Sequence, residues 1–481
     1  MSSVKENFIW NTAYQVVRIA TPLVTTPYLT RVLGSGPLGV YSYTYTIAMY
    51  FTYFVLLGLN QYGNREIAKA RDDRGRLSKV FWSIYAGQAA VGIAVTLVYV
   101  AFSLVQEGIT RVCLLIWIGW VLAEVADIGW LFYGLEEFRL ITIRNVLIRV
   151  VVMVGIFVLV KSSDDLWLYC ALQAFAFVLN SAVLWPIVRK RMDFYMPTPS
   201  EVLSHIPPSL VLFAPVIAIS CYTQLNKILL GNITDMHQVA FYDNADKIVL
   251  VPLAIIQSLG TVLLPRMSNV LSGGDNERAA AYVSDSLWVS MAMAFGLVFG
   301  ISGVSHVFVP VFFGEGFEPC EILLPLLSLI IPICAVSSVF GNQYLIPHER
   351  DTLYLKSVLC GAVANVILCV ALIPPLGAVG AAVATVVAEL VVSGVQFLYV
   401  KGELPVGRYA LEVLPFVVAG VAEYLSIRAA ALLPLGGALL LGAEFLVGAT
   451  VYLVLGFGYL IARGDPRLRF FGLSRFVKVE R

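Results

Sequence analysis

The stretch GAVGAAVATVVAELVVSGVQFLYV, residues 377–400, contains a single Asp, Glu, Lys or Arg, namely Glu389. As a helix rising about 1.5 Å per residue it is about 36 Å long, enough to cross a hydrocarbon core of about 30 Å. Runs of this kind recur along the chain. Of its 481 residues, 59% are hydrophobic and 13% charged, against about 45–50% and about 25% in a soluble domain. The polar surface that a water-soluble fold needs is missing. The net charge of +1 gives no basic excess for nucleic acid.

Fourteen runs read as transmembrane spans, near 10–32, 38–60, 80–105, 112–134, 145–161, 167–188, 207–231, 240–266, 284–312, 322–347, 353–373, 377–400, 412–432 and 438–462. The fifth is short and the eighth interrupted, so a count of twelve stays open. The expected fold is therefore an all-α polytopic membrane protein. A single Lys5 offset by Glu6, with no small-residue cleavage site, makes the first run a retained helix rather than a signal peptide.

Orientation follows from the basic residues, which favour cytoplasmic loops. With the N-terminus inside, 24 of the 32 Lys and Arg fall on the cytoplasmic side, clustering at Arg65–Lys79, Arg189–Arg191 and Arg463–Arg481. Arg31, Arg111 and Lys161 occupy the outer loops, with Arg428 near an outer helix end. Both termini are expected in the cytoplasm. Connections are short, the longest being 62–79, 189–206, 267–283 and 463–481. They leave room for an amphipathic helix but not for the soluble domain that a membrane polymerase, ligase or glycosyltransferase needs. No P-loop, GxSxG or HExxH pattern occurs, so neither ATP hydrolysis nor another catalytic chemistry is expected of this chain. Seven scattered cysteines without a CxxC pair read as buried thiols. Four histidines without ligand spacing predict no metal site. No cofactor is expected.

A weak internal repeat is visible. Leu33-Gly34 followed by Gly39-Val40-Tyr41 resembles Leu230-Gly231 followed by Ala240-Phe241-Tyr242. The preceding spans carry Pro22 and Pro27 in one case and Pro208 and Pro215 in the other. Paired proline-interrupted helices in corresponding halves point to a transporter's binding site. Spans one and seven both run outward, so the halves repeat in parallel. The expected division is a six-helix lobe over 1–195, a second over 196–402, two further helices over 403–462 and a basic cytoplasmic tail over 463–481.

An ionisable group at the bilayer centre costs about 2.5–3.5 kcal/mol on insertion scales, so each one needs a partner or a watery cavity. In span one Asn11, Gln15, Arg18, Pro22 and Thr25 share one helix face. They read as a cavity lining, although Arg18 is also placed to snorkel to the inner headgroups. Span seven aligns Ser220, Thr223, Gln224 and Lys227; span eight aligns Asp243, Lys247, Gln257 and Thr261. Lys227 has no carboxylate nearby in sequence, whereas Lys247 has Asp243 and Asp246 as clamp partners. In span four Trp117, Trp120, Glu124 and Asp127 line one face. Aromatic planes beside carboxylates suit sugar rings, and Glu124, Asp127 and Asp243 are candidate carriers of a coupling ion. Interfacial Trp and neutralisation of Arg18 or Arg149 are the structural alternatives. Arg428 and Glu444, equally far from the turn at Pro434–Gly437, are matched as an interhelical ion pair.

Four stretches carry a resemblance. They are PLVTTPYLTRVLGSGPLGVYSY from Pro22 with LGLNQYGNREIA; DIGWLFYGLEEF from Asp127 with RNVLIR and VKSSDDLWLY; LNKILLG from Leu225 with AFYDNADKI and LLPRMS; and PPLGAVGAAVATVVAE from Pro374. Together they resemble the Wzx-type oligosaccharide flippases of the multidrug/oligosaccharidyl-lipid/polysaccharide (MOP) exporter superfamily. The resemblance implies two parallel six-helix lobes plus two C-terminal helices, MATE-like, in a bacterial cytoplasmic (inner) membrane. It also implies a central cationic cavity with alternating access, and an undecaprenyl-diphosphate-linked oligosaccharide as cargo for O-antigen, capsule or exopolysaccharide. Membrane lipids, a polysaccharide polymerase and a chain-length regulator are the implied partners. One position departs: the residue before Lys227, often an acid in that family, is Asn226. A lipid II flippase or drug/cation antiporter of the same superfamily is the alternative within transport.

Overall fold

The computed structural model describes residues 4–272, 276–404, 406–465 and 467; the side chains of 4–16, 18, 19, 190, 258–272, 276–280, 406, 408 and 410 lie outside that description. Among the described residues every regular element is a helix. The chain divides into two packed units, Met1–Ala240 and Phe241–Arg481. The first holds α1 (Val4–Leu33), α2 (Ser35–Leu56), α3 (Leu59–Ala70), α4 (Arg74–Val105), α5 (Gly108–Val125) and α6 (Gly129–Gly134), then α7 (Phe138–Leu159), α8 (Leu166–Ala182), α9 (Trp185–Arg191), α10 (Pro199–Thr223) and α11 (Leu225–Ile233). α12 (Met236–Ser272) leads into the second, which continues with α13 (Asn276–Phe312), α14 (Cys320–Ser328) and α15 (Ile330–Ser337). A π-helical segment, Ser338–Leu345, precedes α16 (Asp351–Leu376), α17 (Ala378–Val400), α18 (Val406–Ala430) and α19 (Gly437–Arg463).

Eleven stretches among the described residues are long and apolar enough to cross a membrane. They coincide with eleven of the fourteen expected runs; the other three runs fall on α1, α2 and α12, helices of 30, 22 and 37 residues. Large apolar side chains face outward on many of these helices, Leu97, Val105, Leu439 and Phe445 each being more than half exposed. Such a surface would drive association in water and is the ordinary one against lipid. The protein is a multi-pass membrane protein.

Within unit 1, α10 packs on α3 and α4, and α11 packs on α2. Packing thus groups α10 and α11 with α2, α3 and α4. The prolines do not interrupt their helices: Pro22 and Pro27 lie inside α1, and Pro207, Pro208 and Pro215 inside α10. Each removes one ladder hydrogen bond and bends the helix without ending it. The hydroxyls of Thr21 and Thr25 donate back to the carbonyls of Val17 and Thr21, at 2.7 and 3.0 Å.

The real breaks lie elsewhere. Span four stops at Val125 and restarts at Gly129, leaving the last carbonyls of α5 without intrahelical partners. Gln88, buried on α4, supplies them: its Nε2 donates to the carbonyls of Glu124 and Asp127, at 2.9 and 2.7 Å. Its Oε1 accepts from Trp130 Nε1 at 3.0 Å. One amide therefore satisfies both sides of a helix break in a region with no water to do it. Beyond it, α3 lays Leu59, Tyr62, Ile67 and Ala70 against the cluster of Phe81, Trp130 and Phe132. Its other face carries Arg65, Glu66 and Lys69, with Lys69 Nζ 2.8 Å from Glu66.

In unit 2 small residues let α16 and α17 close on each other. A Cβ on Gly380 would lie 2.2 Å from the Leu372 carbonyl oxygen, and one on Gly361 2.3 Å from Val392 Cγ2. Where α17 ends, Glu403 accepts from Arg350 Nη1 at 2.7 Å and from Tyr344 Oη at 2.5 Å. The Arg350 guanidinium, then the Tyr344 hydroxyl, hold its carboxyl below the usual range.

Gln88→Leu takes their partner from the Asp127 carbonyl and the Trp130 N–H, while the Glu124 carbonyl keeps the Asp127 N–H, and should cost about 1–3 kcal/mol for each buried group so orphaned. A lowered thermal unfolding midpoint of the purified protein in detergent is the expected result; an unchanged midpoint would show that the break is held by something else.

Candidate functional site

The seventh span breaks at Gln224, which lies between α10 and α11 with φ −124° and ψ −28°. Three residues on, Lys227 is 7% exposed, and its Nζ donates to Gln224 Oε1 at 3.2 Å. The face it meets belongs to α2. Tyr50 Oη donates to the Ser220 carbonyl at 2.8 Å, and Tyr43 Oη to Asn232 Oδ1 at 3.0 Å, so a tyrosine edge runs along both sides of the break. Tyr53, one turn from Tyr50, is close enough to feel the charges of both Lys227 and Glu124. Glu124, on α5, accepts from Trp120 Nε1 at 3.2 Å. A buried cation, a phenol and a carboxylate thus follow one another across α11, α2 and α5 of unit 1.

The other expected residues fall as follows. Asn11, Gln15 and Arg18 belong to α1, but their side chains lie outside the described residues. Thr25 is buried, its hydroxyl bonded to its own helix. Gln224 joins Lys227 directly. Asp127 accepts from the Gly129 N–H at 3.4 Å and faces the charge of Arg144. Trp117 and Trp120 are buried among rings: Trp120 stacks on Phe177 at 4.2 Å and on Tyr45 at 4.8 Å, so both its faces are covered. In unit 2, Lys247 Nζ lies 2.6 Å from Asp243 on the same helix, one turn away. Glu444 does not pair with Arg428 as matched from the sequence; its neighbour within ion-pair distance is His306, at 3.4 Å. Equal distance from a turn fixes height along a helix but not the side it faces, and Arg428 is exposed.

Tyr50, Tyr53, Gln88 and Arg144 were not singled out by sequence. For the tyrosines a signal exists, since Tyr43, Tyr50 and Tyr53 recur at helical spacing, but five tyrosines in one span dilute it. Gln88 sits alone in an apolar run and gives no such sign.

The two copies of the repeat meet each other in unit 1. A Cβ on Gly39 would lie 1.7 Å from the Met236 carbonyl oxygen, and one on Gly231 would lie 2.4 Å from the Tyr43 ring. Ser35 Oγ is 2.8 Å from His237 Nδ1. The start of α2 therefore rests on the start of α12 through bare glycine.

The family model described as polysaccharide biosynthesis protein matches residues 4–271. A protein of Escherichia coli (strain K12) named as an O-antigen transporter is 24% identical over 407 residues, covering 83% of this chain and 97% of its own. Among solved structures, the lipid II flippase MurJ in an inward closed conformation superposes with a TM-score of 0.77 at 14% identity, covering 94% of this chain and 98% of that one. An inward-facing multidrug resistance MATE family transporter of the MOP superfamily gives 0.62 at 13%, covering 82% and 95%. At such identities the structural likeness speaks for the fold, which is MurJ- and MATE-like.

Gly39→Ala forces a methyl into the Met236 carbonyl and should cost about 1–3 kcal/mol, the usual range for overpacking. The check is the thermal midpoint of the purified variant; a wild-type value would mean that the two repeat copies do not rest on each other.

Proposed function

The chain belongs to the polysaccharide biosynthesis protein family, and from that premise we propose that it is a flippase carrying undecaprenyl-diphosphate-linked oligosaccharides across the bacterial cytoplasmic membrane. The observation that carries the reading is Lys227, a buried cation at a helix break inside a membrane span. Keeping such a charge there is costly, and a diphosphate is a ligand that repays it: the ammonium acts as a compact point charge on phosphate oxygens. The names of relatives support the cargo class, with O-antigen transport given for one and low-salt glycan biosynthesis for another, from Haloferax volcanii.

The headgroup enters by charge complementarity at Arg18 and its neighbours Asn11 and Gln15, and passes Lys227 and Gln224, while the polyprenyl tail stays in the bilayer where its apolar surface is already dry. Alternating access gives the path its direction. Uptake of a proton or Na⁺ at Glu124 or Asp127 resets it, and Tyr53 is placed to relay the state of Glu124 to Lys227. Asp243, held by Lys247, is a third carrier of this kind. The covered faces of Trp120 leave sugar contact to the tyrosine edge of α2. With the termini in the cytoplasm, the basic segments at Arg65–Lys79 and Arg189–Arg191 face the anionic inner leaflet.

Lys227→Ala and Arg18→Ala should abolish export in a flippase-null strain while both proteins still accumulate in the membrane; full complementation by both sinks the cationic path. In the same assay, wild-type export by both Glu124→Gln and Asp127→Asn removes them as ion carriers. Supplying chemically defined lipid-linked glycans and lipid II side by side separates this cargo from that of a lipid II flippase. Reporter fusions at the C-terminus should be active only for a cytoplasmic reporter, and activity of a periplasmic one overturns the orientation.

A further inference from the structure

Unit 2 buries two carboxylates that the proposed substrate path does not use. α13, α18 and α19 pack on one another and enclose Glu423 and Glu444. The Glu444 side chain is 0% exposed, and neither of its oxygens has a hydrogen-bond partner among the described residues. Glu423 is 5% exposed, its Oε2 equally unpartnered. Glycines make room for Glu423: a Cβ on Gly300 would lie 3.0 Å from Glu423 Oε1, and one on Gly448, a turn beyond Glu444, 3.5 Å from Glu423 Cγ.

His306 reaches this cluster from α13. Its Nδ1 is 3.0 Å from the Gly303 carbonyl oxygen. A carbonyl only accepts, so Nδ1 carries the hydrogen, and in a neutral imidazole Nε2 is then a bare lone pair. That Nε2 lies 3.4 Å from Glu444 Oε1. A lone pair facing an anion in an apolar interior is repulsive, and one proton between them removes the conflict, as imidazolium with carboxylate or as imidazole with carboxylic acid.

We propose that His306 and Glu444 form a proton-binding site, holding one proton between Nε2 and Oε1, on helices that carry none of the residues of the proposed substrate path. Loading adds one H⁺ to the pair and takes its charge from −1 to zero; release reverses this, and no other bond changes. The charged and titratable groups that face the cluster are Arg428 on α18, Glu321 on α14, and Tyr452 on α19 beside Glu423. Arg428 and Glu321 bear on His306 with opposite signs, and Arg428 bears on Glu444 as well. The site does not depend on which cargo the protein carries.

The test uses the purified full-length protein in detergent, without substrate. After an alkaline jump read by a pH-indicator dye, wild type should release about one proton more per chain than Glu444→Gln or His306→Gln. The amide of Glu444→Gln can donate to Nε2 of the neutral imidazole or accept from that of the imidazolium, so this variant should keep its fold. The proton stabilises the packed pair below its titration and is lost above it. The wild-type thermal midpoint should therefore fall as pH rises through that range, while that of Glu444→Gln does not follow. Equal proton release by all three proteins overturns the proposal, as does a loss of thermal midpoint of the same size at every pH, which is what a merely structural contact would give.

Discussion

Inside a bilayer the backbone has no water to turn to, and every N–H and C=O must find its partner within the protein. The architecture follows from that constraint. It makes every described element a helix, and it makes each interruption of a helix a place where side chains must act for the missing turn. The fourth span breaks only because Gln88 reaches across from α4 to take up the freed carbonyls. The seventh breaks where Gln224 and Lys227 join side chain to side chain, with Tyr50 on the Ser220 carbonyl just before. Polar residues in these spans serve first to permit irregular backbone, and irregular backbone is where charge can be kept in a membrane.

The same constraint decides what could be read in the sequence. Apolar runs and their basic flanks are local properties, so the helices, and the amphipathic α3 between two spans, were legible from composition and spacing. Lys227 was legible because nothing near it in sequence could neutralise it. Asp243 and Lys247, four residues apart on one helix, were legible as a clamp for the same local reason, and the structure joins them at 2.6 Å.

Contacts between helices were not legible. Gln88 looks like any lone amide until α5 is seen to end beside it. Tyr53 gains meaning from lying within reach of both Lys227 and Glu124 on two other helices. Trp120, attractive as an open aromatic plane, has Phe177 and Tyr45 on its two sides. Glu444 was matched to Arg428 by height above a turn, yet the partner on its side is His306 from a third helix. In each case the sequence fixes where along a helix a residue sits, and only packing fixes what it faces.

The meeting of the two repeat copies carries a different consequence. Gly39 lies under Met236 and Gly231 under Tyr43, each copy shaped to the other's backbone or ring. At these glycines the seam is held by fit. Two segments that mould one another are also not free to drift separately. A bulkier residue accepted in one copy demands a smaller one in the other, and the halves of this chain are tied in their divergence at the place where they touch.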